Sequence, residues 1–105
     1  MKKHITAKNP IKPFIKYFFE PLYGSKRITD VEFDTKTKSY YATLHGKFIT
    51  DAEYRAAGHP EMQGYRTRKY LGRQAVEAKE LMEYIHINFG LEAWQTAIIE
   101  HKKLI

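Results

Sequence analysis

The chain has 105 residues, of which 43% are hydrophobic and 29% are charged. These fractions are ordinary for a globular protein, so they exclude a disordered or fibrous chain, and the length predicts one domain, residues 1–105. The absence of cysteine excludes a disulfide scaffold, a thiolate zinc site and a cysteine nucleophile. With 18 Lys and Arg against 12 Asp and Glu, and with 14% aromatic residues, the composition favours an anionic partner.

The N-terminal residues predict neither a targeting signal nor a membrane anchor. Residues 1–8 lack the apolar core of about 7 to 15 residues that a secretory peptide needs. No apolar run approaches the roughly 18 residues that span a bilayer. We therefore expect a cytoplasmic protein without membrane association. Because Lys2, Lys3 and Lys8 have no acidic neighbour, residues 1–8 could form a flexible basic arm that contacts phosphate; the alternative is a solubilising tail.

The first predicted element is a short amphipathic helix. Its apolar residues recur with a period of about 3.6 residues: Ile11, Phe14, Ile15, Phe18, Phe19 and Leu22. Asn9 is a suitable N-cap, Pro10 suits the first helical position, and Pro21 should end the helix near Glu20. The alternative is a strand in which Phe14 and Phe18 alternate with Lys16.

A β-hairpin follows. Apolar Val31 and Phe33 alternate with acidic residues in the first strand, Ile28–Asp34, and a second strand is predicted at Ser39–Ile49. The polar residues 35–38 suit a four-residue hairpin loop. Gly46 should bend or bulge the second strand, so that residues 47–49 could form a third strand.

The remainder of the chain has helical patterns. Residues 50–53 match a capping box for a short helix that ends at Gly58, and residues 59–64 should form a loop. A long helix is predicted from the apolar stripe Leu71, Ala75, Ala78, Met82, Ile85 and Phe89, and a last helix follows Gly90. The predicted fold class is α+β: an N-terminal amphipathic helix, a β-hairpin or small antiparallel sheet, then C-terminal helices packed on one sheet face.

Charge is unevenly distributed along the chain. Residues 1–16 hold five lysines and no acid, and residues 62–73 hold three arginines and a lysine and no acid. Residues 74–100 hold five glutamates against one lysine. The basic surface is therefore larger than the net charge of +6 implies.

The cationic stretch before the predicted long helix is the main candidate site. Cations at a helix start are destabilising by a few tenths to about 1 kcal/mol each, so four of them there point to an anionic ligand. The predicted contact residues are Tyr65, Arg66, Arg68, Lys69, Tyr70 and Arg73, with Lys12 and Lys16 on the first helix as weaker candidates. The alternative is a solvated loop whose arginines pair with acids such as Glu61 or Glu77.

The outer face of the hairpin is a poorer candidate for nucleic acid. Tyr40 and Tyr41 suit base stacking, but Asp30, Glu32 and Asp34 would line the neighbouring strand and repel phosphate. These acids should instead pair across the sheet with lysines 36, 38 or 47. We therefore expect binding on the loop and helix start and not on the sheet.

Catalytic and metal sites are not predicted. The five histidines are scattered, without metal-ligand spacing. Asp34 and Lys36 superficially match an acid-x-Lys nuclease element, but hairpin-turn chemistry explains them better. No Gly-rich phosphate loop or serine-nucleophile motif is present, so the sequence predicts no enzyme, no cofactor and no metal.

Two functional hypotheses remain. The first is a small nucleic-acid-binding accessory or regulatory protein that contacts the phosphates of DNA or RNA through residues 65–73 and the helix start. The second is a protein-interaction module for a partner with an acidic surface, for example an inhibitor of a nucleic-acid-processing enzyme. The opposite charges of the two halves also permit a homodimer.

Overall fold

The computed structural model describes residues 1–49, 53 and 67–105. In chain order the bounded elements are β1 (Lys2–His4), α1 (Ile11–Tyr23), β2 (Arg27–Asp34), β3 (Ser39–Ile49), β4 (Thr67–Glu77), α2 (Ala78–Phe89) and α3 (Leu91–Lys102). The predicted helix 50–58 and loop 59–64 lie outside the described residues, apart from Glu53, which is helical.

The strands form one antiparallel sheet in the order β1-β2-β3-β4. One face of this sheet is buried against the helices. The core contains Ile15 and Phe19 from α1, Leu81 and Ile85 from α2, and Ala97 from α3. The sheet contributes Ile28, Val31, Phe33, Tyr40, Ala42, Leu44 and Val76. The α+β prediction, with C-terminal helices on one sheet face, is confirmed.

Helix α1 forms where the apolar period predicts it, but it ends later than expected. The side chain of Asn9 accepts a hydrogen bond of 2.9 Å from the Ile11 amide and so caps the helix start. Pro21 lies inside the helix, and the end falls at Gly24, whose φ of 69° suits glycine and whose amide donates to the Glu20 carbonyl. The prediction that Pro21 stops the helix was therefore wrong. Leu22 is 62% exposed, although the stripe assigned it to the core.

The hairpin of β2 and β3 is confirmed, with its loop at residues 35–38. The Lys36 amide donates to Asp34 Oδ1 at 2.8 Å, and this bond lowers the pKa of the Asp34 carboxyl. The register of β3 against β4 is irregular between Leu44 and Phe48, around Gly46, as the glycine predicts. Residues 47–49 continue β3 and form no separate third strand.

The prediction of a long helix starting at Leu71 is wrong over the first third of that helix, because residues 67–77 form strand β4. The helix begins only at Ala78, and from there the apolar stripe is buried as expected at Met82 and Ile85. The 4-and-3 spacing of Leu71 and Ala75 is coincidental, since Ala75 is exposed and Gly72 has a φ of 98° that a helix does not accommodate. Backbone hydrogen bonds to β3 hold residues 67–77 in a strand. The spacing of apolar residues within this segment carries no information about bonds to another strand.

The N-terminal segment is also more ordered than predicted. Lys2 and Lys3 lie in β1, which pairs with the end of β2, so they are part of the sheet and not of a flexible arm. The Ile5 amide donates to the Val31 carbonyl at 2.8 Å, and the Ile5 side chain is buried in the core. Burial of this one apolar residue anchors the segment to the sheet.

Candidate nucleic-acid interface

A cleft lined by four cations lies between α1 and the start of β2. Lys12 and Lys16 project from successive turns of α1, Lys26 immediately precedes β2, and Arg27 is the first residue of β2. The cleft encloses about 370 Å³. Its remaining lining is mainly apolar: Ala7, Pro13, Tyr17 and Ile28. We call this feature the basic cleft.

The basic cleft is only partly neutralised by carboxylates. Lys26 Nζ lies 3.5 Å from Glu20 Oε1, in an ion pair exposed to solvent. Among the described residues no ion pair involves Lys12, Lys16 or Arg27. Lys12 and Lys16 are half-buried, so the helix and the cleft hold part of each side chain in place. The cleft is therefore a local centre of positive potential.

The cationic surface continues from the cleft across one end of the sheet. Arg27 is paired with His45, and His45 with Tyr70, so these three residues form a row across β2, β3 and β4. Further along β3 and β4, Phe48 is paired with Arg68. We use the name basic end for this end of the sheet together with the basic cleft; its cations are Lys12, Lys16, Lys26, Arg27, Lys47, Arg68 and Lys69.

The predicted site residues do not all have the same role. The Arg68 guanidinium lies 4.2 Å from the centroid of the Phe48 ring and donates to the Gly46 carbonyl at 3.2 Å. Lys69 is exposed, and Tyr70 is 67% exposed beside His45. These residues belong to β4, so the prediction that they stand at a helix start, away from the sheet, was wrong. Tyr65 and Arg66 lie outside the described residues.

Arg73 is held within the outer face of the sheet. Its guanidinium donates to the Asp30 carbonyl at 2.9 Å and to Thr43 Oγ1 at 3.0 Å, and it lies 3.2 Å from Glu32 Oε2. Glu32 was expected to pair with a lysine, but Arg73 reaches it across β3. Because these acceptors already engage the side chain, Arg73 is a structural cross-link of β2, β3 and β4.

Sequence reasoning missed Lys26 and Arg27. They are adjacent cations with no informative spacing, and only the packing of α1 against β2 brings them opposite Lys12 and Lys16. The available signal was weak: two adjacent cations, two and three residues after the glycine that ends α1, at the start of a strand. Lys12 and Lys16 were identified correctly as one helix face, and the structure brings both to the basic cleft.

A second and larger groove lies on the opposite side of the fold. It encloses about 1100 Å³ between α2, α3 and the hairpin loop, and Met82, Trp94 and Ile98 give it an apolar wall. His101 also lines it, and His101 Nδ1 forms a 2.6 Å hydrogen bond with the buried Tyr40 hydroxyl. Burial lowers the pKa of the His101 imidazole and raises that of the Tyr40 phenol, so both groups are neutral at pH 7.

Comparison with known proteins identifies no relatives: no protein-family model, curated protein or solved structure matches the chain. In the part of the chain that the structure describes, no helix is long and apolar enough to cross a membrane. Within the same residues, no three His, Asp or Glu side chains are grouped as metal ligands would be.

Proposed function

We propose that this protein is a nucleic-acid-binding accessory or regulatory protein that holds phosphates at the basic end. The observation that carries the proposal is the basic cleft, which is lined by Lys12 and Lys16 of α1, by Lys26 and by Arg27 of β2. The phosphates of a nucleic acid recur along its chain, so several of them can contact the cations of the basic end at the same time.

Fold stability does not explain this arrangement of charges. Like charges in one cleft repel each other, and the carboxylate of Glu20 balances only Lys26. Lys47 and Lys69, further along the basic end, form no ion pair among the residues that the structure describes. An anionic ligand would relieve the repulsion, and electrostatic attraction of this kind supplies most of non-specific nucleic-acid affinity.

Tyr70 favours a single-stranded ligand. Its ring is largely exposed, at the end of the sheet where Arg68 and Lys69 lie. Stacking of an unpaired base on an aromatic ring contributes about 1 to 3 kcal/mol per base and depends little on sequence. A base stacked on Tyr70, with its neighbouring phosphates on the lysines of the basic end, is a typical arrangement for binding single strands.

The acidic part of the chain would orient the ligand by repulsion. Residues 77–100, from the end of β4 through α2 and most of α3, hold five glutamates against one lysine. Such polarity favours encounters in which the basic end meets a polyanion first.

The test is fluorescence anisotropy with labelled single-stranded DNA, single-stranded RNA and duplex DNA at low salt. We expect binding, tightest to a single strand, and at least a several-fold weaker affinity for the K12Q/K16Q variant. The matched control is K36Q/K79Q, which removes two exposed lysines outside the basic end, in the hairpin loop and in α2, and should bind like the wild type. Absence of binding to all three ligands, or equal weakening by both variants, would overturn the proposal.

A second candidate function, docking on a partner protein, is favoured by the apolar groove of Met82, Trp94 and Ile98. Its volume of about 1100 Å³ suits several apolar side chains of a partner peptide. The two functions respond differently to nuclease: a partner that remains bound to the wild type after nuclease treatment and is lost from the W94A variant supports docking. A partner released by nuclease supports nucleic-acid binding.

A further inference from the structure

We infer that the basic cleft receives the terminal phosphate of a nucleic-acid chain, a phosphomonoester, in preference to an internal phosphodiester. The inference rests on the proposed function and specifies the ligand of the same site. It follows from the charge of the cleft, its size and its position at the border of the basic end.

The charge of the cleft suits a dianion. Four cations line it, and Glu20, at 3.5 Å from Lys26, offsets one of them. An internal phosphodiester carries one negative charge, whereas a phosphomonoester carries about 1.5 to 2 at pH 7. Since Coulomb attraction is proportional to charge, the same cations attract a terminal phosphate nearly twice as strongly.

The shape of the cleft suits a chain end. Its cations come from two parts of the chain, α1 and the segment of Lys26 and Arg27 at the start of β2. Its volume of about 370 Å³ falls in the lower range of small-ligand sites. An end nucleotide brings one phosphate and one sugar into the cleft, but an internal phosphate brings a sugar on each side. The apolar surface of Pro13, Tyr17 and Ile28 is available to the single sugar and base.

The surroundings of the cleft favour a chain end over a free nucleotide. From Arg27 the cationic surface continues across the sheet towards Arg68 and Lys69, by way of the row through His45 and Tyr70. These residues lie within roughly 10 to 20 Å of Arg27, given strand spacings of about 4.8 Å and a rise of about 3.3 Å per residue. A chain that starts in the cleft therefore has further cations for its next phosphates, and a free nucleotide does not use them.

The experiment compares one single-stranded DNA sequence with three 5′ ends: hydroxyl, phosphate, and phosphate capped as its methyl diester. The label is at the 3′ end, and the same set is repeated for the 3′ end with a 5′ label. We expect a phosphate at one of the two ends to tighten binding about tenfold over hydroxyl. The methyl cap adds one small group and removes one charge, so it should reduce the gain from about tenfold to about threefold.

Variants separate this inference from the proposed function. K12Q/K16Q should bind phosphate and hydroxyl ends equally, while the charge-preserving K12R/K16R should keep the preference. K47Q/K69Q changes residues outside the cleft, so it should weaken the binding of phosphate-ended and hydroxyl-ended strands by the same factor. Binding by the wild type without any end preference would overturn the inference and leave the proposed function intact, whereas absence of all binding would overturn both.

Two further outcomes decide the source of the phosphate. Adenosine monophosphate should compete at least tenfold more weakly than a 5′-phosphorylated strand, because it lacks the following phosphates. Competition by the mononucleotide at equal concentration would contradict a chain end and assign the cleft to free nucleotides. Circular dichroism melting curves, expected to coincide for all variants, confirm that each is folded.

Discussion

Tyr40 and His101 connect the sheet to α3 through one short hydrogen bond. The two atoms, Tyr40 Oη and His101 Nδ1, lie 2.6 Å apart, and the rings of both residues pack near Phe33. Because burial disfavours the imidazolium, the pKa of His101 lies below its ordinary value in the folded protein. The unfolded chain therefore binds a proton at this residue at a higher pH than the folded chain does.

We predict that this contact makes stability depend on pH. The contribution of neutral His101 is complete above its unfolded pKa of about 6.5, and it is lost as the pH falls from there to the lowered folded value. Urea unfolding at pH 7.5, 6.0 and 5.0 should show a steeper loss of the free energy of unfolding for the wild type than for H101F. Parallel pH profiles for the two proteins would contradict this interpretation.

A second prediction at the residue scale separates Arg73 from the binding surface. The R73Q variant loses the contacts to Asp30, Thr43 and Glu32, so its free energy of unfolding should fall by about 1 kcal/mol. The exposed K69Q variant should keep the stability of the wild type and bind nucleic acid more weakly. Chemical denaturation and anisotropy titration of both variants measure the two effects; the reverse pattern would place Arg73 among the ligand contacts.

Helix α1 is the element whose end depends on one backbone conformation. Gly24 has a φ of 69°, and its amide closes the helix on the Glu20 carbonyl. We predict that G24A lowers the free energy of unfolding by about 1 kcal/mol, because a β-carbon is disfavoured there, although no atom lies within 4 Å of its position. G24N should cost less, since asparagine tolerates this conformation. Thermal melts of equal midpoint for G24A and the wild type would refute the strain argument.

Prediction and structure agree best in elements whose apolar residues recur with the period of the helix or strand. The core face of α1 at Ile11 and Ile15 and the hairpin alternation at Val31 and Phe33 were predicted from local period and are buried. The stripe of α2 is buried at Ala78, Met82 and Ile85, but its last member, Phe89, is 42% exposed. In each case one face of the element is buried and requires apolar residues. Apolar residues therefore recur in the sequence with the period of the helix or strand.

Agreement fails where hydrogen bonds to a distant strand decide the conformation. Strand β4 pairs with β3 along its length. Because Leu71 and Ala75 have the spacing of a helical stripe, the sequence predicted a helix there. The same limit applies to the candidate site. Lys12 and Lys16 could be identified on one helix face, but their juxtaposition with Lys26 and Arg27 depends on how α1 lies against β2.

At the scale of the whole molecule, the fold groups cations that are far apart in the sequence. Cations from α1, β2, β3 and β4 lie at the basic end, whereas residues 77–100 hold five glutamates against one lysine. The net charge of +6 is a sum over the whole chain, so it does not show the local excess of cations at the basic end. The central claim is that phosphates of a nucleic acid neutralise the basic end.

The salt dependence of binding tests this claim most directly. For a single strand, each phosphate neutralised contributes about −0.7 to the slope of log K against log salt concentration. K12Q/K16Q should make the wild-type slope shallower by about 1.4, and K36Q/K79Q should leave it unchanged. Binding whose slope is the same in the wild type and K12Q/K16Q, or no binding by the wild type at low salt, would contradict the account.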